Sequence, residues 1–135
     1  MNILVTGCAG FIGFHVVQKL INQKHKVIGI DMINSYYDIK LKKKRLQQIT
    51  FSDNKKLFSF HKFDISNASK LQDIFSKNKI DIVINLAAQA GVRDSISNPD
   101  IYLSFNIKGF LNILELSKKY KVKHLIYAST SSVYG

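Results

Sequence analysis

The sequence is short of the residues that staple, anchor or interrupt a chain. Among 135 residues there is one cysteine, Cys8, one proline, Pro99, and no tryptophan. A lone cysteine excludes an intrachain disulfide and a cysteine-based zinc site, and it suits a reducing compartment. No metal site is expected. The first residues pass straight into Asn2-Ile-Leu-Val-Thr6, without the basic, apolar and small-residue zones of a secretion signal. No apolar run approaches the length of a membrane span. These absences argue against secreted, membrane and disulfide-scaffold proteins, and the expected location is the cytoplasm.

Acidic residues are also scarce, nine against 20 basic ones, for a net charge of +11. Within the basic set arginine is rare: only Arg45 and Arg93 are not lysine. Base readout and bidentate phosphate contacts favour arginine. The charge therefore reads as compositional bias with a mild attraction for phosphates, and no nucleic-acid partner is expected. The contrasting reading, a nucleic-acid binder, would show itself as strongly salt-dependent affinity.

What is present is enough apolar residue for a packed core, 46% of the chain against 21% charged. No repeat or low-complexity linker divides it, so one domain over residues 1–135 is expected. Short apolar runs at 2–6, 26–31, 57–63, 80–87 and 124–129 read as strands. The imperfect alternation of 57–63 places that strand nearer an edge, and 80–87 reads as deeply buried. Between them lie helical stripes at 11–23, at 39–49 in a basic segment, and through Leu71, Ile74 and Phe75 with Ser66 as cap. A long helix is expected from Pro99 to about Tyr120. Strands alternating with helices call for a parallel sheet covered on both faces, most simply a doubly wound α/β fold with five strands. Ligands in such sheets sit beyond the carboxyl ends of the strands.

The chemistry-bearing residues fall at those ends. Thr6-Gly7-Cys8-Ala9-Gly10-Phe11-Ile12-Gly13 joins the first strand to the first helix. Gly7 would permit a tight turn, Gly10 a close approach of a pyrophosphate, and Gly13 helix packing, with the anion held at the helix N-terminus. Asp31 ends the next strand, where its carboxylate would accept bonds from both ribose hydroxyls of an adenosine and repel a 2′-phosphate, favouring NAD over NADP. The bland alternatives are an ordinary β-α turn and a solvated strand-end acid. The basic run 40–45 reads as a solvated helix face, with a 2′-phosphate site as the alternative.

Together with Asp64-Ile65, Leu86-Ala87-Ala88, Asn106 and Tyr127-Ala-Ser-Thr-Ser-Ser-Val-Tyr-Gly135, these segments resemble the extended short-chain dehydrogenase/reductase family of sugar-nucleotide epimerases and dehydratases. Asn34-Ser-Tyr-Tyr-Asp38 and Ala87-Ala-Gln-Ala-Gly-Val-Arg93 are most similar to UDP-glucuronate 4-epimerases within it. The resemblance implies a Rossmann fold, NAD as cofactor, a nucleotide-sugar substrate and a homodimer for the full-length protein. It places the backbone of Phe11 and Ile12 on the pyrophosphate, Asp31 and Asn34 on the adenosine ribose, and Asp64 and Ile65 at the adenine. Leu86, Ala87, Ala88 and Gln89 would line the path to the nicotinamide ribose.

Asn106 would stand at the cofactor's inner end, unless it bonds nearby backbone instead. Thr130 falls at the family's catalytic hydroxyl position, although such a hydroxyl also suits the cap of the following turn. Ser131, Ser132 and Arg93 are substrate-side candidates, with a surface role the alternative for Arg93. The implied reaction passes hydride from C4 of the sugar to NAD and back to the other face through a 4-keto intermediate. A 4,6-dehydratase would be expected to carry Asp-Glu after the threonine, where Ser131-Ser132 stand here.

Two departures qualify the match. Cys8 replaces a small loop residue, either as a bystander or with a thiol acidified by the helix N-terminus. Asp94 follows Arg93 where an aromatic is commoner. The family's Tyr-x-x-x-Lys base is missing from its usual place, and the sequence reads as an N-terminal portion, ending before a sixth strand and a substrate domain. By itself it is expected to be inactive, and a catalytically dead NAD-binding fragment is the alternative. Tyr36 to Lys40 has the right spacing but follows the second strand, so it is expected to stay on the adenosine side.

Overall fold

The computed structural model describes residues 1–51 and 55–134. Five strands form one parallel sheet: β1 (Asn2–Thr6), β2 (Lys26–Asp31), β3 (Phe58–Lys62), β4 (Ile82–Asn85) and β5 (His124–Tyr127), in the order β3-β2-β1-β4-β5. The order reverses between β1 and β4, the topological switch point at which doubly wound sheets bind ligands. The register brings Thr6, Ile30, Asn85 and Tyr127 into one row at the carboxyl ends.

The alternation of side chains along β1 builds two cores. Ile3 and Val5 point to the face covered by α1 (Phe11–Asn22) and α2 (Ile39–Thr50), where they meet Val17, Ile21 and Ile49. Leu4 points to the other face, toward α3 (Ala68–Lys77) and α6 (Gly109–Lys119), and joins Leu71, Phe75, Val83 and Ile113. Each fully buried aliphatic side chain here contributes about 1.5–3 kcal/mol relative to exposure. Sandwiching the sheet between helices explains why β1 and β2 are almost continuously apolar.

The elements differ from expectation in a few places. β4 covers only Ile82–Asn85, and its burial alternates, with Val83 and Asn85 buried but Ile82 and Ile84 half-covered. Among the described residues β5 pairs only with β4, and Ile126 and Tyr127 are exposed despite their apolar run. Asn67, not Ser66, caps α3: its Oδ1 accepts from the Lys70 amide at 3.1 Å, while the Ser66 amide donates to Asp64 Oδ1 at 2.8 Å.

Pro99 does open a helix. The 99–119 segment runs through α5 (Pro99–Tyr102), a π-helical turn (Leu103–Lys108) and α6. A short α4 (Val92–Ser97) precedes it, unforeseen because six residues carry too little periodicity to read.

Candidate functional site

A cavity of about 680 Å³ opens at the switch point. Its floor is the β1–α1 turn. Gly7 has φ of +68°, and a Cβ there would lie 2.9 Å from the Leu86 carbonyl and the Ala87 amide nitrogen, so the turn packs against the β4 loop only as glycine. A Cβ on Gly13 would collide with the Gly7 carbonyl, which lets α1 start directly on the turn. The N-cap, Gly10, offers no side chain to the first helical amides. Those amides of a twelve-residue helix therefore face the cavity as an anion-binding end.

Gly7, Gly10, Phe11, Ile12, Gly13, Asp31, Asn34, Asp64 and Ile65 all line this cavity, as do Leu86, Ala87, Ala88 and Gln89. Thr6 ties the two walls together although no role was foreseen for it. Its buried hydroxyl donates to Asn85 Oδ1 at 2.6 Å and accepts from the amides of Leu86 at 3.2 Å and Ala87 at 3.1 Å.

Asp31 is buried rather than solvated. Its Oδ1 accepts from the Ile33 amide at 2.9 Å and pairs with Lys42 Nζ at 3.0 Å, and its Oδ2 accepts from the Ala9 amide at 3.1 Å. A carboxylate has roughly four acceptor positions, so about one remains for a ribose hydroxyl rather than the two expected. Asp31 also anchors the glycine turn through Ala9.

The 40–45 run is not simply a solvated face. Lys42 is buried, and Arg45 donates to the Ala9 carbonyl at 3.2 Å and lies over the Phe11 ring at 5.9 Å. Both line the cavity. Lys42, Arg45 and Ile49 recur at i, i+3 and i+7, a stripe whose apolar stems pack while their charges reach Asp31 and the turn. That spacing was the available signal, obscured by the surrounding lysines.

Asn106 contacts the loop after β4. It is not in the cavity wall; its amide group clamps Gln89, accepting from the Gln89 nitrogen at 2.8 Å and donating to the Gln89 carbonyl at 2.9 Å. The π-helical turn sets Asn106 toward that loop. Thr130 lies outside the cavity wall, and its Oγ1 accepts from the Ser132 amide at 3.2 Å, the turn-capping geometry. Ser132 is exposed beside it, and Arg93 is exposed on α4. The side chain of Ser131 and all of Gly135 lie outside the described residues.

Asp94 bridges the end of α4 and α5: Oδ1 accepts from Asn98 at 3.0 Å and Oδ2 lies 3.0 Å from the Tyr102 hydroxyl. Cys8 is fully buried. Burial, reinforced by the Asp31 carboxylate, pushes its thiol far above the ordinary range, so the helix N-terminus does not acidify it. The Tyr36 hydroxyl, on the loop after β2, donates to the Ala90 carbonyl in the loop after β4. No cluster of residues fit to hold a metal occurs among the described residues, and no helix there is long and apolar enough to cross a membrane.

A 3-2-1-4-5 parallel sheet with a glycine turn feeding a helix at its switch point defines the class, a Rossmann-type α/β protein. Residues 4–135 match the GDP-mannose 4,6 dehydratase family, and the chain belongs to it. It is 52% identical over its whole length to protein CapI of Staphylococcus aureus, covering 39% of that protein. To a UDP-glucuronate 4-epimerase of Thermodesulfobacterium geofontis it is 48% identical over 132 residues, 98% of this chain and 40% of the relative. Among solved structures it is similar to a UDP-glucuronic acid 4-epimerase from Bacillus cereus in complex with UDP-glucuronic acid and NAD. That match has a TM-score of 0.86 and 39% identity, and covers the whole of this chain and 42% of the other. The chain thus spans about 40% of the length of these relatives.

Proposed function

We propose that residues 1–135 are the NAD-binding part of a sugar-nucleotide 4-epimerase, with UDP-glucuronate as substrate and the intact protein a cytoplasmic homodimer. The observation that carries this reading is the convergence of the glycine turn, the α1 N-terminus, Asp31 and the 86–89 segment on one cavity. The relatives named UDP-glucuronate 4-epimerase support the choice of sugar.

The residues present fit a dinucleotide. The floor carries no side chains at Gly7, Gly10 and Gly13, the helix amides of Phe11 and Ile12 suit a pyrophosphate, and Asp31 keeps an acceptor for a ribose hydroxyl. Asp64, Ile65 and Asn34 would hold the adenosine end, and Leu86 to Gln89 the other. Bound NAD supplies reversible oxidation at the sugar carbon; the protein supplies orientation and the path for the hydroxyl proton. In this scheme Asn106 is a positioning residue acting through Gln89. Thr130, with Ser131, Ser132 and Arg93 on the substrate side, would meet the sugar.

The test is an epimerase assay on the whole protein with UDP-glucuronate, alongside titration of NAD and NADP. Interconversion of UDP-glucuronate and UDP-galacturonate with tighter NAD binding is expected. NAD binding with no turnover of any UDP-sugar would leave the binding-module alternative, and no nucleotide binding would refute the reading. Thr130→Val should lower turnover and leave NAD affinity unchanged, the signature of a bond made to the sugar.

A further inference from the structure

The two walls of the cavity come from different halves of the sheet. One is the loop after β2, carrying Asn34, Tyr36 and Tyr37; the other is the loop after β4, ending at Ala90 and Gly91. The Tyr36 hydroxyl, on the first, donates to the Ala90 carbonyl, on the second.

The receiving side is built for this contact. Gly91 has φ of +107°, and a Cβ there would collide with the Tyr36 hydroxyl, so the position takes glycine on both counts. The Tyr102 hydroxyl lies 2.8 Å from the Ala90 carbonyl, 2.7 Å from that of Gly91 and 3.0 Å from Asp94 Oδ2, and its one proton serves one of them at a time. Tyr102 thus shapes the Ala90–Gly91 corner from its own side of the cleft. On the other side, Tyr37 packs edge-to-face on Tyr36, with ring centroids 4.9 Å apart.

We infer that Tyr36 is a latch across the mouth of the nucleotide cleft, and that breaking its bond to Ala90 governs how fast a bound dinucleotide leaves. The inference rests on the proposed nucleotide-binding reading. Tyr36 and Ala90 line the same cavity as Asp64 and Ile65 after β3 and Ala128 after β5. A dinucleotide carries a bulky ring system at each end, so it cannot slide out lengthwise; the strap must lift. Tyr36 is 38% exposed, so water can compete for the bond and opening needs no unfolding.

The experiment loads the whole protein with NADH, mixes it with excess NAD and follows the loss of bound-NADH fluorescence by stopped flow. Tyr36→Phe removes only the hydroxyl, and Gly91→Ala displaces the same hydroxyl from the opposite wall. Both should release NADH about five- to tenfold faster than wild type, the scale of one net hydrogen bond. Release from folded Tyr36→Phe within twofold of wild type overturns the latch while leaving nucleotide binding intact. Wild-type protein that binds no NADH overturns the nucleotide-binding reading and the latch with it.

Discussion

Lys42 Nζ lies 3.0 Å from Asp31 Oδ1, with both side chains more than nine-tenths shielded from solvent. The pair joins the end of β2 to the second turn of α2, and through the Ala9 amide it reaches the glycine turn. A buried ion pair gains little over an apolar pair, but breaking one partner leaves an uncompensated charge. Lys42→Met should therefore cost about 3 kcal/mol of stability. The double variant Asp31→Asn with Lys42→Met should recover part of that loss, read from urea melts. A single variant as stable as wild type would show that solvent already screens the pair.

The same pair bears on nucleotide choice. Asp31→Ala removes the ribose acceptor and leaves Lys42 and Arg45 as cations beside the place of a 2′-phosphate. NAD affinity should fall more than NADP affinity, narrowing the preference about tenfold or more in calorimetric titrations, the effect of one charge-assisted bond. An unchanged ratio would remove Asp31 from cofactor selection.

Thr6 is the hinge pin between the two walls, with one donated and two accepted bonds inside the fold. Thr6→Val keeps the shape and removes the hydroxyl, taking a partner from Asn85 Oδ1 and the Ala87 amide, while the Leu86 amide keeps its bond to the Thr6 carbonyl. A loss of about 2 kcal/mol is expected in thermal or urea unfolding. Thr6→Ser, which keeps the hydroxyl, should recover most of it.

The Tyr102 phenol is pushed up to about 12, first by desolvation, then by its hydrogen bonds to Asp94 and Tyr36. The folded state therefore holds this proton where the unfolded chain, titrating near 10, has lost it. The contribution to stability is complete below pH ~10 and is lost as pH rises through 12. Ultraviolet titration of the native protein should show a late phenolate step near pH 12 that disappears in Tyr102→Phe.

Cys8 lies buried behind the glycine turn with its thiol held protonated. It should react with a thiol-selective disulfide reagent only after denaturation, because the thiolate is the nucleophile and neither it nor access is available in the fold. Prompt labelling of native protein at neutral pH would contradict this.

Much of the fold was legible because β1 and β2 are apolar enough, and the glycines specific enough, that local pattern and tertiary role agree. The sequence alone determined five parallel strands, their alternation with helices, and the collection of Gly7, Gly10, Gly13 and Asp31 at one end of the sheet. Only the tertiary structure decided which groups those residues face. Lys42 looked like one surface lysine among many until α2 docked and put it against a buried carboxylate. Asn106 and Tyr36 carry no sequence mark of their partners, Gln89 and Ala90, which lie 17 and 54 residues away. Periodicity reports the face a residue occupies within its own element; a hydrogen bond between elements depends on how two faces meet, and the packing of helices on the sheet sets that.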